Sequence, residues 1–105
     1  VTVTRINYFS SRQGNSAALY EKLNAIVPMI KNATGCLGCR ILNELEDSNQ
    51  ILIIEEWQNI EAHKAALAEV PPETFAPVMT LLANPPHGHY YNTHSGQDTS
   101  EAPAS

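Results

Sequence analysis

Apolar positions change their period several times along this chain, and each change marks an element. Residues 1–9, VTVTRINYF, alternate roughly by two and are rich in β-branched and aromatic side chains, which predicts a strand. SSRQGNS breaks the alternation. From Ser16 onward Leu19, Leu23, Ile26, Val27 and Ile30 recur at helical spacing, which predicts an amphipathic helix to about Asn32. Asn15 or Ser16 is its expected cap. Pro28 lies inside it and is expected to kink it, because proline lacks a backbone donor. TG ends the helix, and a second strand is expected over residues 36–46. EDSNQ reads as a turn, with Asp47, Ser48 and Asn49 as side-chain acceptors. ILIIEEW is a third strand, paired with the second as a hairpin. Its unbroken apolar run from Ile51 to Ile54 implies cover on both faces.

Asn59 is placed to cap a second helix over about residues 60–69, with Ile60, His63, Leu67 and Val70 along one stripe. VPP ends it. Thr74 is then expected to cap a short helix carrying Phe75, Val78, Met79 and Leu82, with Pro77 in its first turn. HGHYYNT reads as the last strand. The order is β-α-β-β-α-β, a ferredoxin-like α+β fold with an antiparallel sheet and its helices on one face. One domain over residues 1–93 is expected, followed by a polar tail over 94–105 expected to be disordered. Strand three is apolar at both parities, so the sheet face turned from the helices is a poor match for water. A second copy stacked on it would cover it, which predicts a homodimer.

Composition sharpens this picture by exclusion. The chain has 105 residues, a single-domain length, with 43% hydrophobic and 16% charged residues. A net charge of -5 with six Lys and Arg argues against nucleic acid or an anionic membrane as partner. No apolar run approaches the roughly 20 residues of a membrane span, and no signal peptide is visible. Cys36 and Cys39 form a C-x-x-C, a spacing found in redox pairs and half zinc sites. On a regular strand the two point to opposite faces, which favours structural cysteines over either chemistry. Reduced thiols suit a cytoplasmic protein.

The stretches GCLGCRILNELED, ILIIEEW, NIEAHKAAL and FAPVMTLLANPP resemble the antibiotic biosynthesis monooxygenase family of dimeric α/β barrels. The resemblance covers most of residues 3–92. It implies a pocket inside each protomer between sheet and helices, and no cofactor. Members include cofactor-independent oxygenases of quinols and phenols, haem-degrading proteins, and proteins with no known reaction. Trp57 matches the strand-end tryptophan of the family. His63, six residues on, falls where some oxygenases carry a proton-handling tyrosine. Many members have a histidine nine residues after the tryptophan, where this chain has Ala66. Asn7 is similar to the first-strand asparagine of the haem-degrading branch, but ETFAPVM lacks that branch's helical histidine. Some oxygenases carry an asparagine four residues before the tryptophan, where Ile53 stands here.

A cofactor-free oxygenase takes its electrons from the substrate, so the protein must bind a flat apolar ring, take a proton and exclude water. The expected substrates are a phenolic or quinol-type small molecule and dioxygen. Trp57 is suited to stack on a ring. His63 is suited to act as base, its ordinary pKa lying near neutrality. Asn7 or a backbone N–H is suited to hold a developing oxyanion. Tyr8, Phe75, Tyr90 and Tyr91 are the expected lining. Each has a plainer reading: Trp57 as core, His63 as an inward histidine with one hydrogen bond, Asn7 as a strand residue. Glu55 and Glu56 differ in parity, so one is expected to meet Arg5 or Arg40 and the other to face solvent or the dimer seam. His87 and His89 share a face, but no third ligand is near in sequence and no metal is expected. The competing functions are a non-catalytic ligand-binding or stress-response dimer and a haem-binding protein.

Overall fold

A computed structural model describes residues 2–92. The element order is β1 (Val3–Ser10), α1 (Ser16–Lys31), β2 (Cys36–Asn43), β3 (Gln50–Trp57), α2 (Ile60–Ala68), a 3₁₀ turn (Pro72–Thr74), α3 (Ala76–Met79) and β4 (His87–Asn92). All strand pairs are antiparallel and the sheet order is β2-β3-β1-β4, the ferredoxin-like arrangement predicted from the element order. The expected tail over 94–105 lies outside the described residues. No helix among them is long and apolar enough to cross a membrane.

Strand alternation divides the sheet into two unlike faces. Ile51, Ile53, Glu55 and Trp57 of β3 are buried, while Leu52, Ile54 and Glu56 between them are half-buried. The buried side meets Leu19, Leu23, Ile26 and Val27 of α1, at a 3.6-residue period along the helix. Each such side chain taken from water contributes about 1.5–3 kcal/mol. The described residues therefore bury one face of β3 fully and leave the other, expected to be covered as well, only half-buried.

Several local expectations change. Asn15 stands at the N-cap of α1, but its side chain makes no cap bond; its carbonyl accepts the first helical N–H, from Leu19. The extent of α1 is as expected, Ser16–Lys31 with Pro28 inside it and Asn32 at its C-cap. β2 stops at Asn43, and the chain turns over residues 47–50, where Asp47 O accepts from Gln50 N–H and Asp47 Oδ1 from Asn49 N–H, an acceptor role predicted for it. Thr74 does not cap a helix: it closes a 3₁₀ turn after Pro71 and Pro72, and Phe75 occupies the N-cap of α3. Asn59 does cap α2, its Oδ1 accepting from Ala62 N–H at 2.8 Å.

The C-x-x-C is the clearest correction. A register shift between Cys36 and Gly38 leaves Leu37 as an extra residue. Cys36 then stands opposite Trp57 and Cys39 opposite Glu55, so both thiols share the helix-side face instead of opposing ones. Cys39 belongs to the core and Cys36 packs against it. Both are free thiols. Burial pushes the Cys39 thiol up to about 12, and burial also raises Cys36. These are packing residues with little thiolate at neutral pH.

Candidate active site

A cleft of about 900 Å³ opens between the helix-side face of the sheet and α1, α2 and α3. Its walls are mostly apolar, with Ile26, Met29, Leu67, Val70, Phe75 and Met79 on the helix side. Its floor is polar. There β1 contributes Arg5 and Asn7, and β3 contributes Glu55 and Trp57.

Alternation assembles the floor. Arg5 pairs with Glu55 and Val3 with Trp57 across β1 and β3, so the inward residues of both strands point the same way. Glu55 is 4% exposed. Its Oε1 accepts from Trp57 Nε1 and its Oε2 from Asn7 Nδ2, both at 2.8 Å. Asn7 Oδ1 in turn accepts from Arg5 Nε at 3.1 Å. The Arg5 guanidinium lies 4.6 Å from the centroid of the Tyr90 ring. Tyr90 Oη reaches back to His63 Nδ1 at 2.6 Å. His63 packs edge-on to Trp57, ring centroids 5.4 Å apart. Its Nε2 stands 3.9 Å from Glu55 Oε1, near but beyond hydrogen-bond reach. The six side chains form a closed circuit at the base of the cleft.

Two proton carriers in it are displaced from their ordinary values. Burial pushes the Glu55 carboxyl up, against the opposing pull of the Trp57 hydrogen bond, the Arg5 charge and the Asn7 hydrogen bond. Burial holds His63 down, and the positive charges of Arg5 and Lys64 act in the same direction. The imidazole is therefore neutral at pH 7 and available to accept a proton.

The residues singled out in the sequence divide sharply. Trp57, His63 and Asn7 come together, and Phe75 lines the cleft. Tyr90 joins them through His63 rather than at a mouth. Trp57 is 2% exposed, which leaves almost none of the indole open to a stacked ring; it braces Glu55 and His63 instead. Tyr8 and Tyr91 are corrected. They lie on the opposite sheet face, hydrogen-bonded to each other through their hydroxyls at 2.8 Å, with Tyr8 stacked on His87 at 4.9 Å. Their parity is that of Ile6 and Ile54, away from α1 and α2. His87 and His89 are neighbours at 5.7 Å, and no group of three or more metal-ligating side chains occurs among the described residues.

Glu55, Arg5 and Gly88 were not picked out as site residues. The signal for Glu55 was present: it sits two residues before Trp57 on one strand and so shares its face. One of Glu55 and Glu56 is expected to meet Arg5 or Arg40; Glu55 stands opposite Arg5 in register, and its carboxylate oxygens accept from Trp57 and Asn7. Glu56, on the other face, accepts from Thr4 Oγ1.

A family profile described as antibiotic biosynthesis monooxygenase matches residues 2–75. No curated relative matches the chain. Solved structures do. A conserved protein from Methanosarcina mazei Go1 superposes with a TM-score of 0.80 at 13% identity, covering 90% of this chain and 94% of its own. Rv0793 from Mycobacterium tuberculosis gives 0.76 at 18% identity, covering 90% and 96%. A mutant of SnoaB, a cofactor-independent oxygenase from Streptomyces nogalater, gives 0.72 at 19% identity, covering 88% and 92%. At these identities the likeness is one of fold.

Proposed function

This chain belongs to the antibiotic biosynthesis monooxygenase family, and on that premise we propose that it is a cofactor-independent monooxygenase of a phenolic or quinol-type molecule. The observation that carries the reading is the His63 imidazole, bonded to Tyr90 and set against Glu55 and Trp57, at the polar base of an apolar cleft. A fold shared with a cofactor-independent oxygenase supports it.

The circuit suggests how each group works. With Nδ1–H donated to the Tyr90 oxygen, His63 presents the lone pair of Nε2 to the substrate hydroxyl. The proton moves to Nε2, and the new imidazolium faces Glu55 Oε1. The substrate anion passes one electron to dioxygen. The resulting radicals combine at a ring carbon that bears hydrogen, giving a hydroperoxide. His63, having given its proton to the peroxide, takes the C–H proton as the O–O bond breaks; one oxygen stays as a carbonyl, and the other leaves as hydroxide, which takes that proton back from His63 to form water. The substrate is oxidised by two electrons beyond the inserted oxygen, and no external reductant is consumed. The apolar walls keep bulk water from the intermediates.

Asn7 has one amide oxygen and one N–H engaged inside the circuit, so its role in this reading is to orient Glu55 and Arg5. The same reading includes a cytoplasmic homodimer stacked through the open sheet face, where Ile6, Leu52 and Ile54 are half-exposed. A second reading, a ligand-binding dimer without turnover, draws on the near-complete burial of Trp57 and His63.

Incubation with a panel of quinols and phenols, in air and under nitrogen, followed by mass spectrometry separates the two. The oxygenase reading expects a product one carbonyl richer in air only. No phenol consumed faster than in buffer leaves the ligand-binding reading.

A further inference from the structure

Arg5 is a cation held ready without an anion. Its Nε is engaged by Asn7 and its face rests on Tyr90. Among the described residues its Nη groups make no hydrogen bond, and no carboxylate lies within ion-pair distance. The carboxylate facing it in register, Glu55, has both oxygens committed elsewhere, and burial pushes that group toward its neutral form. The other acidic side chain on the lining, Glu69, is exposed at the C-cap of α2.

The backbone is shaped to hold the guanidinium there. Gly88 of β4 faces Asn7 across the ladder. A Cβ at that position would fall 2.6 Å from Arg5 Nη2, 2.7 Å from its Cζ and 2.5 Å from Asn7 Oδ1. Only a residue without a side chain lets the guanidinium and the amide lie flat on β4. A planar, oriented guanidinium at the edge of an apolar hollow is suited to a two-point grip on a carboxylate or similar oxyanion, and a partly desolvated cation gains from such a partner.

Resting on the reading of the cleft as a substrate site, we propose that it takes an aromatic ligand that already carries an oxyanion, gripped by the Nη groups of Arg5, with its rings against Val70, Phe75 and Met79. Arg5 is then the residue that sets specificity, selecting anionic aromatics over neutral ones of equal shape, and Gly88 keeps its guanidinium in place.

Calorimetric titration with 2-naphthoate and its neutral isostere 2-naphthamide tests this without any turnover. The native protein is expected to bind the carboxylate about tenfold or more tighter than the amide, the scale of a charge-assisted hydrogen-bond pair. Arg5→Gln is expected to abolish that preference, bringing the carboxylate and amide affinities to within about threefold of each other. Gly88→Ala, which displaces the guanidinium and leaves it charged, is expected to reduce the preference, and it carries the test if Arg5→Gln does not fold. Equal affinities in the native protein, or a preference that survives Arg5→Gln, overturn the proposal. A carboxylate preference without phenol oxidation removes the oxygenase reading and keeps the anion site. Oxidation without the preference does the reverse.

Discussion

A carboxyl group 4% exposed needs donors, and Glu55 has two, from Trp57 and Asn7. Glu55→Leu keeps the bulk and strands both donors. It is expected to cost about 2 kcal/mol or more, read from urea unfolding. Glu55 and His63 also set a pH dependence. The folded value of Glu55 is raised, so its contribution is full below the unfolded value, about 4.3, and is lost as pH rises through the folded value. The folded value of His63 is lowered, so its contribution is full above about 6.5 and is lost as pH falls through the folded value. Glu55→Gln is expected to flatten the decline on the rising side, and His63→Asn the loss on the acid side, in urea midpoints measured across pH. An unchanged profile in either variant contradicts the assignment of that residue. Cys39, with its thiol near 12, is expected to resist iodoacetamide at pH 7.5 in the native protein and to react on unfolding. At this scale the meeting of Trp57 and His63 was legible, since one closes an inward strand and the other lies on an inward helical stripe. The pairing of the two thiols on one face was not, because a single bulge at Leu37 reverses parity and leaves no mark in the spacing.

Among elements, α2 is the least anchored of the long pieces: His63 is its one buried residue, and Leu67 is 51% exposed. Its position depends on a close approach at Gly35, which has φ of +88° and leaves no room for a Cβ, since one would lie 2.6 Å from Ala62 Cβ. Gly35→Ala therefore combines left-handed strain with a clash and is expected to cost about 2 kcal/mol or more. Adding Ala62→Gly relieves the clash alone and is expected to leave part of the loss, which urea titration of both variants resolves. The helices and strands themselves were legible because periodicity and caps agreed, as at Asn59. The region from Pro71 to Met79 is less legible. Its apolar residues have helical spacing, but two prolines at the start favour a 3₁₀ turn and divide the segment.

At the level of the molecule, sheet order followed from element order, but the size of the cleft did not. Hydrophobic stripes on α2 and α3 imply packing, yet Leu67 and Met79 stand half-exposed around a hollow instead of filling it. Sequence patterns say which faces are apolar and not how far apart they rest. The open sheet face is the other feature of this scale. With Ile54 paired to Ile6 and Arg40 at its centre, Ile54→Lys is expected to convert a dimer to a monomer in sedimentation velocity, leaving the far-UV spectrum unchanged. A native protein that sediments as a monomer contradicts the proposed dimer.

The most direct test of the account follows label from dioxygen. The protein is incubated with an oxidisable phenol or quinol found among such a panel, under ¹⁸O₂ with no added cofactor, and the product is weighed. One ¹⁸O in the new carbonyl is expected, formed about 10²-fold more slowly by His63→Ala while fold and assembly persist. Product carrying oxygen from water, or His63→Ala turning over as fast as the native protein, contradicts chemistry centred on that imidazole.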